Sequence, residues 1–450
     1  MSKPSVKVRL VADPGLGDGL ALPLAVAESL GVPQADTITV RVGGNQRQAP
    51  LTLSAGIKVV RIGRALADAL YLPLPKTLWV RYDGETQTVR FGPVVAVFAV
   101  KRRRAGPRSR RLFGVRTLDM RQLMRHGTDL GLLTYVISPE GVDPSRDYLV
   151  GYVPYRRRWA RKRLPLPDVV YDRIQARSWE RRPSTRVAKE YLRSLPNTKY
   201  FNEGFFDKWN LHQRLMQHEG LRQYLPETQP MAGPQSLRSF LSHHSAAFIK
   251  PTEGSQGKGI VRISRRGDRY EWRIGSRRLS TTRFDALYRH VRRIQRQQRY
   301  IMQPDLQLAR LGGAPFDVRL LMQRNETGEW KRTKAYVRVA AKGSLTSNLS
   351  RGGTAMRLRS VLRARFGRAR RRIENRIHQA AAEILQGLDQ VLDGPLGEVG
   401  LDLGIDRTGR VWLIEVNAKP FRKVFDAGPK RSVRLSFRRP MAYAKHLAQF

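Results

Sequence analysis

The sequence predicts an α/β (α+β) protein of several domains, with a β-rich module at its N-terminus. The chain has 450 residues, more than one compact domain usually needs. Its first hundred residues alternate short runs of β-branched and aromatic residues with turns that mostly contain glycine. From Leu112 onward, strand-like runs alternate with runs of helical periodicity, which is typical of α/β architecture.

Residues 1–100 form the predicted β-rich N-terminal module, with one helix expected at about 64–71. Its strand-like runs are VKVRLVAD, DTITVRVGG, IKVVRIG, TLWVRYDG and TVRFGPVVAVFAV. The next segment, KRRRAGPRSRR at 101–111, is too basic and too poor in apolar residues to be part of a core. We therefore expect a linker or an exposed loop there.

Residues 112–200 predict an α/β domain. A helix-like stretch, TLDMRQLMRHGTDLG, comes first, and helical periodicity returns in WERRPSTRVAKEYLRSL. Between them lie three strand-like runs, LLTYVIS, DYLVGYVPY and PDVVYDRI. Asp172 and Arg173 in the last run either face a cleft between domains or form a structural ion pair.

Residues 201–450 predict a third domain, which begins with the helix FDKWNLHQRLMQHE. A first subdomain at about 235–302 contains the strand AAFIK, a glycine-rich loop, two more strands, a helix and the strand RYIMQ. A second subdomain at about 303–450 contains the antiparallel pair FDVRLLMQRN and EWKRTKAYVRVAA, a helix at about 368–392 and a final hairpin, GLDLGIDRTGRVWLIEVN.

The absence of cysteine excludes disulfide frameworks, thiolate metal sites and cysteine nucleophiles. The N-terminus lacks the apolar core of a signal peptide, and the longest apolar run, Val94 to Val100, is too short to span a bilayer. We expect a soluble cytoplasmic protein without a transmembrane segment.

The chain carries 84 Lys and Arg against 37 Asp and Glu, a formal net charge of +47. This excess predicts attraction to polyanions, including non-specific binding of nucleic acid. A merely solvated basic surface remains the alternative. The basic clusters at 101–111, 156–163 and 357–372 lack the interleaved aromatic residues of an RNA-binding strand, and a Cys/His finger is excluded.

The strongest local motif is FIKPTEGSQGKGI at 248–260. Lys250 ends a strand that enters a loop containing Gly254, Gly257 and Gly259, and a second strand follows. Closely spaced glycines let backbone N–H groups converge on phosphate oxygens, and Lys250 and Lys258 add positive charge. The motif is not a Walker A loop, because no Ser/Thr and helix follow the lysine. An ordinary glycine-rich hairpin turn is the alternative.

The second motif is the final hairpin. Glu415 and Asn417 are two residues apart and are expected on one face of their strand, with Trp412, Ile414 and Val416 on the other. The hairpin places Asp402 beside Glu415 and Asn417. Two carboxylates and an amide oxygen are hard ligands suited to Mg²⁺ held together with nucleotide phosphates. A solvated polar face is the alternative.

Together these motifs resemble the YheC/YheD group of endospore coat-associated ATP-grasp proteins. The resemblance is dense over residues 145 to 425 and looser over the N-terminus. The motifs that carry it, in chain order, are LPLPDVVYDRI, YFNEGFFDKW, LPET, FIKPTEGSQGKGI, FDVRLLMQ, SNLSRGG and GLDLGIDRTGRVWLIEVNAKP, and the linker YIMQPDL fits the order of motifs in ATP-grasp proteins in general. It implies an ATP-grasp fold over 201–450, preceded by an α/β pre-ATP-grasp domain at 112–200.

The resemblance also implies roles for individual residues. Lys208 and Lys250 match two lysines that face the nucleotide phosphates. A loop that closes over the phosphates is matched by Gly254, Ser255, Gln256, Gly257 and Lys258. The linker that meets the adenine and ribose is matched by Gln303, Asp305 and Leu306. Arg319 matches an arginine directed at the transferred phosphoryl group, and Arg338 and Asn348 resemble acceptor-side residues. The magnesium ligands, for two ions, are matched by Asp402, Glu415 and Asn417. Lys419 either contacts a phosphate or faces solvent, and we assign it no role.

The function that this resemblance implies is ATP- and Mg²⁺-dependent ligation of a carboxylate to an amine through an acyl phosphate, associated with the spore coat or envelope. The acid and amine are not identified, although the basic exterior suits an acidic peptide or envelope polymer. Two other functions stay open. One is a spore-coat structural protein that binds nucleotide without ligation, and the other is a polyanion-binding protein.

Overall fold

The computed structural model describes residues 4–450 except 103–104, 107–108, 255–256, 276, 296–297, 342, 345–346, 348, 350–351 and 423–429. Helices account for 33% and strands for 36% of the chain, so the α+β prediction is confirmed. The strands form four sheets, which follow one another along the sequence.

The N-terminal strands close into a barrel in the order β1-β5-β2-β4-β3-β7-β6. Alternate residues of each strand point inward, and Leu10, Leu20, Ile62 and Val80 are fully buried there. The elements are β1 (Ser5–Asp13), β2 (Leu20–Pro23), α1 (Leu24–Leu30), β3 (Thr37–Val42), β4 (Asn45–Ser54), β5 (Val60–Gly63), α2 (Arg64–Ala69), β6 (Lys76–Asp83) and β7 (Thr88–Gly92).

The second sheet has the order β11-β10-β9-β8-β12-β13. Its elements are β8 (Val94–Phe98), α3 (Thr117–Asp129), β9 (Leu133–Ile137), β10 (Tyr148–Tyr155), β11 (Arg158–Pro165), β12 (Val169–Asp172), α4 (Arg177–Glu180), α5 (Pro183–Ser194) and β13 (Lys199–Phe201). The strand β8 was expected in the N-terminal module, but it pairs in parallel with β9 and β12. Its run is continuously apolar because both of its faces are buried.

The third sheet is antiparallel, in the order β14-β19-β15-β16-β17-β18, and two helices cover one face. The elements of this part are α6 (Lys208–Met216), α7 (Glu219–Arg222), β14 (Gln229–Pro230), α8 (Pro234–His243), β15 (Ala246–Pro251), β16 (Val261–Arg266), β17 (Arg269–Ile274), β18 (Arg277–Thr281), α9 (Phe284–Gln295) and β19 (Tyr300–Pro304). The glycine-rich loop joins β15 to β16, so it lies at one end of this sheet.

The fourth sheet is also antiparallel, in the order β23-β22-β21-β24-β25, with β20 paired to β21. Its elements are β20 (Arg310–Leu311), β21 (Ala314–Arg324), β22 (Trp330–Val339), β23 (Thr354–Arg357), α10 (Leu358–Phe366), α11 (Arg370–Val391), β24 (Glu398–Ile405), β25 (Val411–Asn417) and α12 (Lys430–Leu447). The helix expected at about 368–392 is α11, and its apolar stripe packs on this sheet.

Two of the basic clusters belong to regular elements. The cluster at 156–163 forms most of the edge strand β11, and the Arg-rich stretch at 357–372 forms α10 and the start of α11. The helix α12 packs on α3 of the second sheet, through Phe437, Met441 and Ala444. Among the helices that the structure describes, none is long and apolar enough to cross a membrane.

Candidate active site

A row of polar side chains crosses four strands of the fourth sheet. Tyr336 on β22 pairs with Arg319 on β21, Arg319 pairs with Asp402 on β24, and Asp402 pairs with Glu415 on β25. Side chains that are paired across neighbouring strands lie about 5 Å apart on the same face. Register alone therefore brings an arginine and two carboxylates together.

A β-bulge decides which face of β25 these groups occupy. The pairing register shifts between Asp402 and Leu403, so that Ile414 has no partner on β24. Val411, Leu413 and Val416 are buried in the core, whereas Ile414 lines a cavity. The expectation that Ile414 and Trp412 lie opposite Glu415 was wrong, because strict alternation does not continue through a bulge.

Asp402 is held between two arginines. Its carboxylate accepts from Arg319, and it lies 2.9 Å from Nη2 of Arg338. Burial alone would raise the pKa of Asp402, but the two guanidinium groups outweigh it and keep the pKa below its ordinary value. Arg338 also forms a bidentate pair with Asp317, at 2.6 and 2.8 Å. Asp402 is therefore anionic at neutral pH and fixed in position.

Glu415 faces a lysine from outside the sheet. Its Oε1 lies 3.3 Å from Nζ of Lys208, at the start of α6, and the same Nζ donates to the carbonyl oxygen of Gly254 at 2.8 Å. Lys208 thus connects the glycine-rich loop to the carboxylate row. Asn417, two residues beyond Glu415, has a buried Nδ2 without a hydrogen-bond partner in the described structure.

The donor set of Asp402, Glu415 and Asn417 fits a magnesium ion. All three supply oxygen, two are carboxylates, and the strand register places Asp402 opposite Glu415, two residues before Asn417. Among the described residues there is no cluster of three His, Cys, Asp or Glu side chains. A site built from two carboxylates and one amide needs no such cluster, since Mg²⁺ usually keeps several of its waters.

Lys250 lies on the neighbouring sheet, at the end of β15. Its Nζ donates to Oε1 of Gln303 at 2.7 Å, and Nε2 of Gln303 donates to the hydroxyl of Thr228 at 2.9 Å. Burial lowers the pKa of Lys250 from 10.5 to about 8, and the charges of Glu415 and Lys208 also act on it. Lys250 is therefore part of the same electrostatic neighbourhood as the carboxylate row.

Two cavities meet at these residues. The smaller, of 790 Å³, lies between the third and fourth sheets and is lined by Lys250, Gln303, Asp305, Leu306 and Ile414 among others. The larger, of 1830 Å³, opens toward the second sheet and is lined by Gly254, Arg319, Arg338, Asp402, Glu415 and Asn417 among others. The carboxylate row and its arginines thus line the larger cavity, and Arg338 of this row contacts Asp317 of the smaller one at 2.6 Å.

The remaining predicted residues of the loop do not all reach these cavities. Gly257 and Gly259 have positive φ angles of 68° and 75°, which only glycine adopts without strain. Lys258 is exposed and lines neither cavity. Ser255 and Gln256 of the loop, and Asn348 on the acceptor side, lie outside the described residues.

A family model for YheC/D-like ATP-grasp proteins matches residues 197–447, more than half of the chain. The chain belongs to the YheC/D-like ATP-grasp family. Two curated relatives from Bacillus subtilis (strain 168) are each 27% identical to it. Endospore coat-associated protein YheD aligns over 80% of this chain and 80% of its own, and endospore coat-associated protein YheC over 67% and 84%.

Among solved structures, the D-cycloserine synthetase DcsG aligns with a TM-score of 0.46 and 17% identity, over 79% of this chain and 99% of its own. A RimK domain ATP-grasp protein from Sphaerobacter thermophilus DSM 20745 aligns with a TM-score of 0.44 and 14% identity, over 77% and 98%. The family match confirms the ATP-grasp fold predicted for this YheC/D-like chain.

Three charged residues near the site of this YheC/D-like protein have structural partners. Lys419 pairs with Asp172 at 2.7 Å and with Glu180 at 3.1 Å. Arg173 pairs with the fully buried Glu398 at 2.6 Å. The alternative of structural ion pairs is therefore confirmed for Asp172 and Arg173, and these pairs hold the second sheet against the fourth.

Sequence reasoning missed three polar residues of the site. Asp317 forms the bidentate pair with Arg338, Thr228 bonds Gln303, and Arg262 pairs with Asp305 at 2.8 Å. Asp317 had a readable signal, because it stands two residues before Arg319 and so on the same face of β21. Thr228 lies in the LPET motif. For Arg262, which is one of many arginines in the chain, we find no signal in the sequence.

Replacing Gly400 with alanine is expected to displace Arg319. A Cβ on Gly400 would lie 2.7 Å from Cζ of Arg319, so the guanidinium must move although the residue is retained. If Arg319 acts on the substrate, a shift of this size lowers kcat/KM by about 10²-fold. Steady-state ADP release measures the effect. Gly394→Ala is the control, since nothing lies within 4 Å of its Cβ position; equal activity of the two variants would contradict the role of Arg319.

The low pKa of Lys250 predicts that nucleotide binding weakens in alkaline solution. Below pH 8 the amine is protonated and attracts phosphate, and this charge is lost as the pH rises through about 8. Between pH 7 and pH 9 we expect affinity for ATP to fall about tenfold, as measured by calorimetry. In Lys250→Met this dependence should disappear. An unchanged pH dependence in that variant would assign the titration to another group.

Proposed function

We propose that this protein is an ATP- and Mg²⁺-dependent ligase that joins a carboxylate to an amine through an acyl phosphate. The observation that carries the proposal is the row of Arg319, Asp402 and Glu415, which lines the larger cavity with Lys208 beside Glu415. Phosphoryl transfer from ATP to a carboxylate needs positive charge gathered around the polyphosphate, and needs a separate space for the acid.

The smaller cavity is assigned to the nucleoside. A volume of 790 Å³ lies within the usual range for small-molecule pockets, about 300–1,000 Å³. Gln303 and Asp305 are the side chains that we assign to the adenine and the ribose. Thr228 bonds Gln303 and Arg262 pairs with Asp305, so both side chains are held in place. Lys250 at the edge of this cavity supplies positive charge for the phosphates.

The phosphate end is assigned to Lys208, Lys250 and the glycine-rich loop. Lys208 donates to the loop backbone at Gly254 and faces Glu415 at the same time. Closure of the loop over the nucleotide would exclude water from the transferred phosphoryl group. The proposed roles of Ser255 and Gln256 rest on the family resemblance.

The magnesium ions are assigned to Asp402, Glu415 and Asn417. When bound, they would neutralise negative charge on the phosphate oxygens that develops as the phosphoryl group transfers. In the structure Asp402 and Glu415 are paired with Arg319, Arg338 and Lys208 instead. Arriving phosphates would give these cations new partners, so the two carboxylates become free to bind metal.

The proposed chemistry has two steps. A carboxylate oxygen of the acid attacks the γ-phosphorus, and the bond from that phosphorus to the β–γ bridging oxygen breaks, which releases ADP. The nitrogen of the amine then attacks the acyl carbon, loses a proton, and displaces inorganic phosphate. Arg319 and Arg338 are positioned to stabilise the acid and the transferred phosphoryl group.

We further propose an association with the spore coat or envelope. The support is the description of both curated relatives as endospore coat-associated proteins. The net charge of +47 would favour retention on an acidic envelope polymer.

ADP release in the presence of candidate acids and amines tests the proposed reaction. A ligase releases ADP in proportion to the acid and amine supplied, and mass spectrometry should detect a product whose mass equals that of acid plus amine minus water. A protein that only binds nucleotide would bind ATP with Mg²⁺ in calorimetry and show no acceptor-dependent turnover. That second result would overturn ligation and leave the nucleotide site intact.

A further inference from the structure

The larger cavity is lined by more basic than acidic side chains. Of the described residues that line it, ten are Lys or Arg and five are Asp or Glu. Its volume of 1830 Å³ exceeds the range of about 300–1,000 Å³ that is common for small-molecule pockets. Its size and charge fit an acid longer than a single amino acid.

A patch of exposed apolar side chains lies in the same cavity. Val115, Leu118, Phe421 and Val433 have relative exposures of 81%, 59%, 50% and 41%. They make up four of the nine large hydrophobic residues that are exposed in the described part of the chain. Apolar side chains gathered in one cavity indicate a binding surface more strongly than scattered ones do. We call these four residues the apolar patch.

The apolar patch lies within a short distance of the carboxylate row. Phe421 is four residues beyond Asn417, and an extended chain of four residues spans at most about 14 Å. Val115 and Leu118 approach from the other wall, since the guanidinium of Arg116 stacks on the Phe421 ring at 3.8 Å. A chain of about four residues could therefore connect the reacting centre to the apolar patch.

Positive charge accompanies the apolar patch. Burial, together with the nearby charges of Arg173 and Arg422, lowers the pKa of Arg116 to about 10, while Asp119 acts in the opposite direction. Arg422 lines the cavity, is almost fully buried, and has an Nη1 without a partner among the described residues. Arg434, next to Val433, is exposed at the cavity wall. Arg116 pairs with Asp119 at 3.1 Å and Arg422 with Glu398 at 2.7 Å, whereas Arg434 extends this basic end of the cavity from the exposed start of α12.

We infer that the acid substrate is a peptide-like chain that binds along this cavity, with an apolar side chain on the apolar patch and a second acidic group beside Arg434. The inference rests on the proposed function for the position of the reacting carboxylate, at Arg319 and Arg338. The apolar patch and Arg434 then determine specificity, since they contact only the part of the substrate remote from the reaction.

Calorimetry with unlabelled acetylated hexapeptides tests this inference without requiring turnover. The first probe has aspartate and leucine at its first two positions, three glycines, and a C-terminal glutamate, so that leucine lies four residues from the terminal carboxylate. In the second probe serine replaces leucine, and in the third asparagine replaces aspartate. With Mg²⁺ and a non-hydrolysable ATP analogue present, we expect each replacement to weaken binding about tenfold, and free glutamate to bind more weakly than any of the peptides.

Protein variants test which side chains cause the preference for leucine and for aspartate in the peptide. The double variant Leu118→Ser and Phe421→Ser should bind the leucine and serine peptides equally, and Arg434→Gln should bind the aspartate and asparagine peptides equally. All three side chains are exposed, so the variants are expected to fold. Val187→Ser is the matched control, because Val187 is 53% exposed on α5 and lines neither cavity.

The outcomes separate this inference from the proposed function. Equal binding of all three peptides by the wild-type protein would overturn the inference, and so would a leucine preference that survives in the double variant. ADP release with free glutamate as the best acid would also overturn it while supporting ligation. A leucine preference that depends on Leu118 and Phe421, without any ADP release, would support the inference and reject ligation.

Discussion

Glu415→Gln is expected to lower kcat for acceptor-dependent ADP release by about 10³-fold with little change in the free energy of unfolding. The side chain stands opposite Asp402, contacts Lys208 at 3.3 Å and is proposed to hold metal. Glutamine keeps its shape but lacks the charge, so stabilisation of the transferred phosphoryl group is lost. Because Glu415 is partly exposed, folding does not depend on it. Steady-state kinetics and urea denaturation measure the two effects.

The control for this variant is Glu219→Gln, the same replacement at a side chain that is 89% exposed. It should leave kcat unchanged. Titration of Mg²⁺ at saturating ATP gives a second readout, since a lost ligand raises the concentration needed for half-maximal activity. If Glu415→Gln retained wild-type kcat and the same Mg²⁺ requirement, Glu415 would not be a metal ligand and the assigned site would be rejected.

Glu398→Gln is expected to destabilise the protein by about 3–5 kcal/mol. Glu398 is fully buried and accepts from Arg173 at 2.6 Å, from Arg422 at 2.7 Å, and from Tyr171 and Gln323. Its loss leaves two buried guanidinium groups without their anion, which costs more than the pair contributes when intact. These contacts join β12 of the second sheet to the fourth sheet. Urea unfolding measures the difference.

The effect of Glu398→Gln should depend on pH in a defined direction. Burial would raise the pKa of Glu398, but Arg422 and Arg173 outweigh it and hold the pKa below 4.5. A carboxylate with a lowered folded-state pKa contributes stability above the unfolded-state pKa and loses it as the pH falls through the folded value. The gap in stability between wild type and variant should therefore be full at pH 7 and shrink below about pH 4.5. Glu219→Gln, at a side chain that is 89% exposed, should show no gap at either pH; a constant gap for Glu398→Gln would contradict the role of Glu398.

Much of the site was predictable because its motifs are local. The closely spaced glycines in 252–259 predict a loop. Glu415 and Asn417 are two residues apart in an apolar strand, which predicts that both lie on the same face of that strand. The fold of the C-terminal half followed from several motifs in one order, and the family match confirms it. The boundary near residue 100 was misplaced, because an apolar run such as 94–100 does not indicate which sheet it joins.

The bulge at Ile414 shows what local reasoning misses. Alternation predicts faces correctly only while the pairing register is continuous, and the register here depends on β24 as much as on β25. Local reasoning also misses the ion pair of Asp317 with Arg338. The two residues are 21 positions apart in the chain and meet only because β21 and β22 pair in this register.

The sequence by itself determined the fold family, the glycine-rich loop and the strong positive charge of this protein, and it supplied the three side chains proposed as metal ligands, since these follow from residue types and short spacings. The tertiary structure decided which charges are paired, where the two cavities lie and which apolar residues remain exposed in the larger one. The physical reason is distance. Electrostatic neutralisation and burial depend on groups that fold together from positions far apart in the chain, such as Asp172 with Lys419 and Glu398 with Arg173, and no local pattern encodes those pairs.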